Sequence, residues 1–507
     1  MKLKFLLSTI LILTFFFCFG QNEGLTSASS SITISDLKNM LYEYSSDEFG
    51  GRGTPSKGQD LAINFLTNHY KKIGVKPLQK NTYLQPVKLQ FDFKPKVSFS
   101  VNGNQFKYYD DFISYNNGPK VNYEEEEIIF VGFGIDDPKY SDYINVDVKG
   151  KVVVAYSGEP KNDDGSFIID GNKKSVWSNN REELRNKKAA AKKNGAKSLI
   201  LLNDYLYNRY RYDYEFSDKG RGEKRMSLED NSKNGPHIFL FPTKFKDFFS
   251  AKDLRLKLDF EPNYETFIAN NVAAFIEGSE YPDEYIVITA HLDHVGTQNG
   301  EIYNGADDDG SGTVGILEIA EAFAIAEKQG YKPKRSIIFL HVTAEERGLL
   351  GSEYYVDFNP LVPLEETMVC LNIDMIGRTD PNRGVRNVNY IYIIGSDILS
   401  NDLHETNEFA NEKYANLELD YRYNDPTYPV FESGRTIENQ YYYRSDHYHF
   451  VKNNIPSIFF FSGTHVDYHQ PTDTAEKILY DLYKKRVKLI FHTTWELANR
   501  DERIKLN

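Results

Sequence analysis

Cysteine is nearly absent from this chain of 507 residues: there are two, Cys18 and Cys370. With Cys18 inside a removable leader, only Cys370 remains, and no internal disulfide is available to an exported protein. Cys370 sits in an apolar run and reads as an inert core thiol. Positive charge is also in deficit. The net charge is −13, with Lys and Arg spread rather than blocked, which argues against nucleic acid or anionic membrane as the main partner. No Gly-x-Ser-x-Gly elbow occurs, and Gly310-Ser311-Gly312 reads as a helix start, which argues against a serine hydrolase. His404-Glu405 has no second histidine four residues beyond the first, so the helical zinc-protease motif is missing. No fixed-period repeat is present. Aromatic residues make up 14%, but much of this is Tyr in polar stretches and reads as compositional drift.

What is present begins with a leader. Met1-Lys2-Leu3-Lys4 is basic, Phe5 to Phe17 is apolar, and Cys18-Phe19-Gly20 ends the stretch, so residues 1–20 are expected to be a signal peptide with a mature start at Gln21. The stretch is short for a membrane span. An uncleaved anchor or lipidation of Cys18 are alternatives, although Phe15-Phe16-Phe17 lacks the small residues a lipoprotein peptidase prefers. Hydrophobic content of 40% and charged content of 26% suit a soluble protein of two or three domains. Residues 21–93 open with helical pattern: Leu61, Phe65, Leu66 and Ile73 share a face, and Gly74 is a stop. Residues 94–265 read as a small, mainly β domain. Its strands include Ile128 to Gly132 and Gly150 to Ala155, and a helix near Arg181 to Lys193 precedes the Gly195 to Leu202 strand. Within it, Asp204 to Gly235 is expected to be a mobile surface excursion, and Glu124 to Glu127 a solvated edge. From 266 to 507 strands and helices alternate, as a parallel α/β sheet requires.

That last region carries the chemistry. Ala290-His291-Leu292-Asp293, Gly305-Ala306-Asp307-Asp308-Asp309-Gly310, Ala344-Glu345-Glu346, Ile373-Asp374 and Tyr468-His469 nearly all follow long apolar runs, which read as buried parallel strands. Ligand sites of open α/β sheets lie at the carboxyl ends of the strands, so these groups are expected to converge into the site of a metal-dependent hydrolase. Two divalent metals roughly 3.5–4 Å apart need a carboxylate that touches both. Asp308, in a Gly-rich turn leading into a helix from Thr313 to Ala326, fits that bridge. His291 and Asp374 would complete one metal, Glu346 and His469 the other. Asp293 would hold the His291 imidazole in its tautomer. Of two adjacent glutamates only one is needed as ligand, which leaves Glu345 as the general base. His294 and His341 read as a loop group supporting the site and a strand-core residue.

As an ordered set, His291-Leu292-Asp293, Asn304 to Gly312, Ala344 to Ser352, Asn372 to Arg378, Ser445-Asp446-His447 and Tyr468 to Thr474 resemble metallopeptidase family 28. That family comprises dizinc exopeptidases, among them secreted aminopeptidases, glutamate carboxypeptidase and, more distantly, glutaminyl cyclases. Glu48 to Gly53 resembles the family's N-terminal segment, and Phe130 to Gly134 with Val146 to Val154 resembles an inserted protease-associated domain. The resemblance implies an α/β exopeptidase fold with two Zn2+ per chain. It also implies Asp308 as bridge, a cis peptide before Asp309, Tyr468 as hydrogen-bond donor to the oxyanion, and Met375, Arg378, Ser445 and Asp446 around the substrate's amino end. The activity implied is that of a secreted or periplasmic aminopeptidase acting on peptides. A carboxypeptidase, a one-zinc glutaminyl cyclase-type acyl transferase and a non-catalytic peptide-binding protein are the alternatives. Side-chain preference and oligomeric state are not written in the motifs.

Overall fold

The structure, a computed structural model, describes residues 24–507 apart from 116–117, 173, 180–181, 221–223, 230–235, 385–386, 433–434 and 438. The expected leader over 1–20 lies outside the described residues. The chain divides into two compact units, one made of residues up to Val87 together with Ile268–Asn507, the other of Lys88–Phe267.

The first unit is α/β. Its strands are β1 (Tyr264–Ile276, of which the part from Ile268 belongs here), β2 (Tyr281–His291), β3 (Arg335–Val342), β4 (Thr367–Ile373), β5 (Tyr390–Ile394) and β6 (Ser457–Phe461). They lie in the order β1-β3-β2-β4-β6-β5. The inner pairs β3/β2, β2/β4 and β4/β6 are parallel, while β1 and β5 run antiparallel to their neighbours. Register places Ile288 beside Phe339 and Leu371, and Leu371 beside Ile458. This row faces a core shared with helices α1 (Ile34–Tyr44), α2 (Lys57–Ile73), α3 (Gly312–Lys328) and α4 (Tyr480–Asn499). The alternate row, Val287, Ile338 and Cys370, faces a second core containing Tyr355 and Phe450. Burial on both faces is why these strands are written as unbroken apolar runs. Cys370 is the only cysteine among the described residues and is buried. α2 starts on Ser56, whose side chain accepts the Gln59 N–H, and stops on Gly74, where φ is 85° and left-handed backbone is needed.

The second unit holds an eight-stranded sheet whose parallel middle pairs Ile128 with Val152, Val152 with Ser198 and Ser198 with His237. One expectation is corrected here. Asp204–Asp218 is a helix, begun by the Asn203 side chain accepting the Leu206 N–H and anchored by buried Leu206 and Tyr207. Glu124 to Glu127 lies in a strand, Val121–Phe130, whose second neighbour pairs only with Ile128–Phe130, so the glutamates keep one side unpaired, with Glu124 and Glu125 exposed as a solvated edge requires. Lys257, Lys197 and Lys151 meet Glu124, Glu126 and Glu127 there.

Candidate metal centre and active site

Four parallel strands end at one edge of the first unit, and each hands over polar residues as its apolar run stops. β2 closes on His291; Glu345 and Glu346 lie in the turn after β3; Asp374 follows β4; Tyr468 and His469 lie in the loop after β6. Asp308 arrives from the turn before α3, and the Asp308–Asp309 peptide is cis. Asp309 ties three of these segments together, accepting the N–H groups of His291 at 3.2 Å, Gly312 at 2.9 Å and Met375 at 3.2 Å. Gly312 must be glycine: a Cβ there would lie 2.4 Å from the Asp309 carboxylate and 2.7 Å from the Ile373 carbonyl. Asp473 Oδ2 accepts the N–H groups of Asp307 and Asp308 at 3.0 and 3.1 Å, which sets the direction of the Asp308 side chain. Buried Arg52 adds support by donating to the carbonyls of Leu292, Asn304 and Gly305.

The two oxygens of Asp308 face different neighbours. Oδ1 is 3.2 Å from His291 Nε2, which is also 3.8 Å from Asp374 Oδ1 and 3.9 Å from Glu345 Oε2. Oδ2 is 3.1 Å from His469 Nε2 and 3.7 Å from His294 Nδ1. Glu346 completes the second side, with Oε2 3.1 Å from His469 Nε2 and Oε1 2.7 Å from His294 Nδ1. The donor atoms thus fall into two groups, His291, Glu345 and Asp374 on one side and His294, Asp308, Glu346 and His469 on the other. Asp308 Oδ2 is buried without a hydrogen-bond partner, 3.1 Å from His469 Nε2 and within the second donor group. Carboxylate and imidazole donors converging with free lone pairs suit a borderline cation such as zinc.

Electrostatics divide the acids. Burial drives the Glu345 carboxyl well above its usual range, with Glu346, Asp446 and Asp374 adding to the effect against His291. For Asp308 burial also pushes upward, but His294, His291 and His469 hold it well below the normal range. Glu346, raised by burial and by Asp308, is brought to about 2 by His469 and His294. His469 moves the other way: burial lowers it, and Glu346 and Asp308 lift it to about 11. Positive charge is what these carboxylates are arranged around.

The remaining residues separate on inspection. Asp293 supports through two different groups: its carbonyl accepts from His291 Nδ1 at 3.0 Å, fixing that tautomer, while Oδ1 accepts the Glu345 N–H at 3.1 Å. Tyr468 and Met375 line a cleft over the donors, walled by Tyr441, Phe459 and Phe461. The Tyr468 hydroxyl accepts from Arg444 Nη2 at 3.2 Å, and Arg444 also lines the cleft. Ser445, Asp446 and Arg378 do not line it. Ser445 donates to Asp374 Oδ2 at 2.7 Å and accepts from Asn372. Asp446 is buried behind the site and accepts from Ser352, its carboxyl raised by burial to about 7. Arg378 pairs with Asp467 at 3.0 Å. Two residues contribute beyond their sequence reading. His294 brings its Nδ1 within 2.7 Å of Glu346 Oε1 in the second donor group, and Asp473 directs the Asp308 turn. For Asp473 the signal was its place in Tyr468-His469-Gln470-Pro471-Thr472-Asp473; for His294 it was only adjacency to Asp293.

Residues 271–494 match the model of peptidase family M28. A probable leucine aminopeptidase 2 of Aspergillus oryzae is 26% identical over 435 residues, covering 84% of this chain and 71% of that protein. A probable glutamate carboxypeptidase of Arabidopsis thaliana is 38% identical over 112 residues, which is 22% of this chain and only 15% of that protein's length. Among solved structures, an aminopeptidase from Aneurinibacillus sp. strain AM-1 aligns with a TM-score of 0.48 at 16% identity, over 94% of this chain and 97% of that one.

Proposed function

We propose that this chain, which belongs to peptidase family M28 through residues 271–494, is an aminopeptidase that uses two zinc ions to remove residues from the free N-termini of peptides. The observation that carries the reading is Asp308, whose two oxygens face two separate donor groups, with Glu345 left beside them. Divalent cations held there would supply Lewis-acid polarisation of the scissile carbonyl and lower the pKa of the attacking water. His291, Asp374 and Asp308 Oδ1 would hold one; Asp308 Oδ2, Glu346 and His469 the other. Glu345 takes the proton from the attacking water and returns it to the departing amine. Tyr468, at the cleft wall, donates its hydroxyl hydrogen toward the oxygen on which negative charge develops. Asp293 keeps His291 and the Glu345 backbone in register for these steps. Export across a membrane belongs to this reading, on the basic-then-apolar pattern of residues 1–20.

Recognition of the amino end follows from the cleft's charge. Glu345 and Asp374 line it, and an α-ammonium brought out of water needs such partners, because leaving it unpaired costs several kcal/mol. Two observations favour a second reading, a carboxypeptidase: Arg444 lines the same cleft, and a relative over a short stretch bears a carboxypeptidase's name. Mass spectrometry of one peptide in free and N-acetylated forms separates the two. The expected result is stepwise loss from the free N-terminus and none from the blocked peptide. Shortening from the C-terminus, or equal cleavage of both forms, overturns the aminopeptidase reading.

A further inference from the structure

His294 has the position of a donor but only one firm partner. Its side chain is fully buried, Nδ1 lies 2.7 Å from Glu346 Oε1, and Nε2 is buried without a hydrogen-bond partner. Glu346 is therefore held at both ends: Oε1 is taken by the imidazole, and Oε2 points at His469 Nε2 and the space beside Asp308. The backbone makes room for this. At Gly305, where φ is 56°, a Cβ would sit 2.5 Å from Cγ and Cδ2 of the His294 ring, so glycine is required there both for its conformation and for the ring's place. A buried histidine is most simply a packing group with a satisfied ring; here the one satisfied nitrogen is satisfied by a residue of the metal centre.

We propose that His294 is a positioning residue which, by donating its Nδ1–H to Glu346 Oε1, restricts Glu346 to offering a single oxygen to the cation on the His469 side. This rests on the two-cation reading above. The physical consequence is selectivity. With Glu346 confined to Oε2, the His469 side presents three protein donors and keeps a position open, as a four-coordinate catalytic zinc site does. Released from His294, Glu346 is free to present both oxygens, and the site shifts toward the oxygen-rich, higher-coordinate environment that manganese and magnesium prefer.

The test uses the full-length protein as wild type and as His294→Asn, His294→Gln and His294→Leu, each loaded with zinc and dialysed against graded free-zinc buffers. Cations per chain are counted by mass spectrometry, Tm is followed alongside, and the titration is repeated with manganese. Asn places an N–H where Nδ1 sits, whereas Gln places it where Nε2 sits. Wild type and Asn are expected to retain two zinc ions. Leu and Gln are expected to hold one of them about 10–100-fold more weakly, the range for loss of a group supporting a metal ligand, with reduced preference for zinc over manganese. Full zinc retention by Leu at wild-type affinity overturns the proposal, as does weakening in Asn with retention in Gln. If Leu does not fold, the Asn–Gln comparison decides alone. Wild type that binds two cations yet cleaves no peptide sinks the aminopeptidase reading and leaves His294 standing; wild type that binds only one cation sinks both.

Discussion

Glu345 and Glu346 are adjacent in sequence and opposite in environment. Burial among other acids drives Glu345 far upward, whereas His469 and His294 bring Glu346 down to about 2. A carboxyl made basic is suited to taking a proton, and one kept ionised is suited to binding a cation. Replacing Glu345 with Gln keeps its shape and removes the proton acceptor. We expect Glu345→Gln to lose roughly 10²–10⁴-fold in kcat while retaining wild-type cation content; near-wild-type turnover at full occupancy would assign the base elsewhere. The sequence reading divides the two glutamates because only one of them is needed as a ligand, and the Glu345→Gln variant tests that division. For His294 the sequence indicated a group supporting the site, but nothing in His291-Leu292-Asp293-His294 says that its imidazole meets Glu346. Arg378, Ser445 and Asp446 show the converse limit. The family resemblance placed them around the substrate's amino end, whereas here they are partnered by Asp467, Asp374 and Ser352 and do not line the cleft.

At the scale of elements, α3 carries a group that no chemistry at the site uses. Glu318 is buried on its core side, near Asp36 and Glu321, and burial followed by those two acids lifts its carboxyl to about 8. Its Oε2 meets the Thr33 N–H at 3.4 Å. Between the unfolded value of about 4.5 and about 8, the folded chain holds a proton that the unfolded chain has released. Stability therefore falls as pH rises through that window. Glu318→Gln removes the titration. At constant cation load its unfolding free energy should match wild type near pH 4.5 and exceed it above pH 8 by several kcal/mol, about 1.4 kcal/mol for each pH unit of that window, seen as a higher Tm. Parallel Tm curves from pH 5 to 8.5 would remove Glu318 as a source of pH sensitivity. Elements with unbroken apolar runs, β2, β3, β4 and β6, were legible because burial on both faces leaves no other way to write them. α2 was legible from its face and its Gly74 stop. The Asp204–Asp218 helix was not, since only Leu206 and Tyr207 of its residues are buried, and a helix held by its cap and two side chains leaves little periodicity to read.

At the scale of the whole molecule, the donors run from His291 to His469, all within the unit that contains Ile268–Asn507. Cations binding there stabilise the folded chain over the unfolded one, by about 4 kcal/mol for each site at a thousandfold excess over its Kd. Exhaustive chelation is expected to lower Tm by on the order of 10 °C, with zinc restoring it; a Tm indifferent to chelator would mean the acids are not a cation site. The same spread has a temporal consequence. His469 comes after β6, the last inner strand in sequence, so a chain still emerging from the ribosome has His291 long before it has a partner across Asp308. Until β6 has been made the proposed centre lacks its last donor, so under the proposed function the chain stays inactive throughout its synthesis.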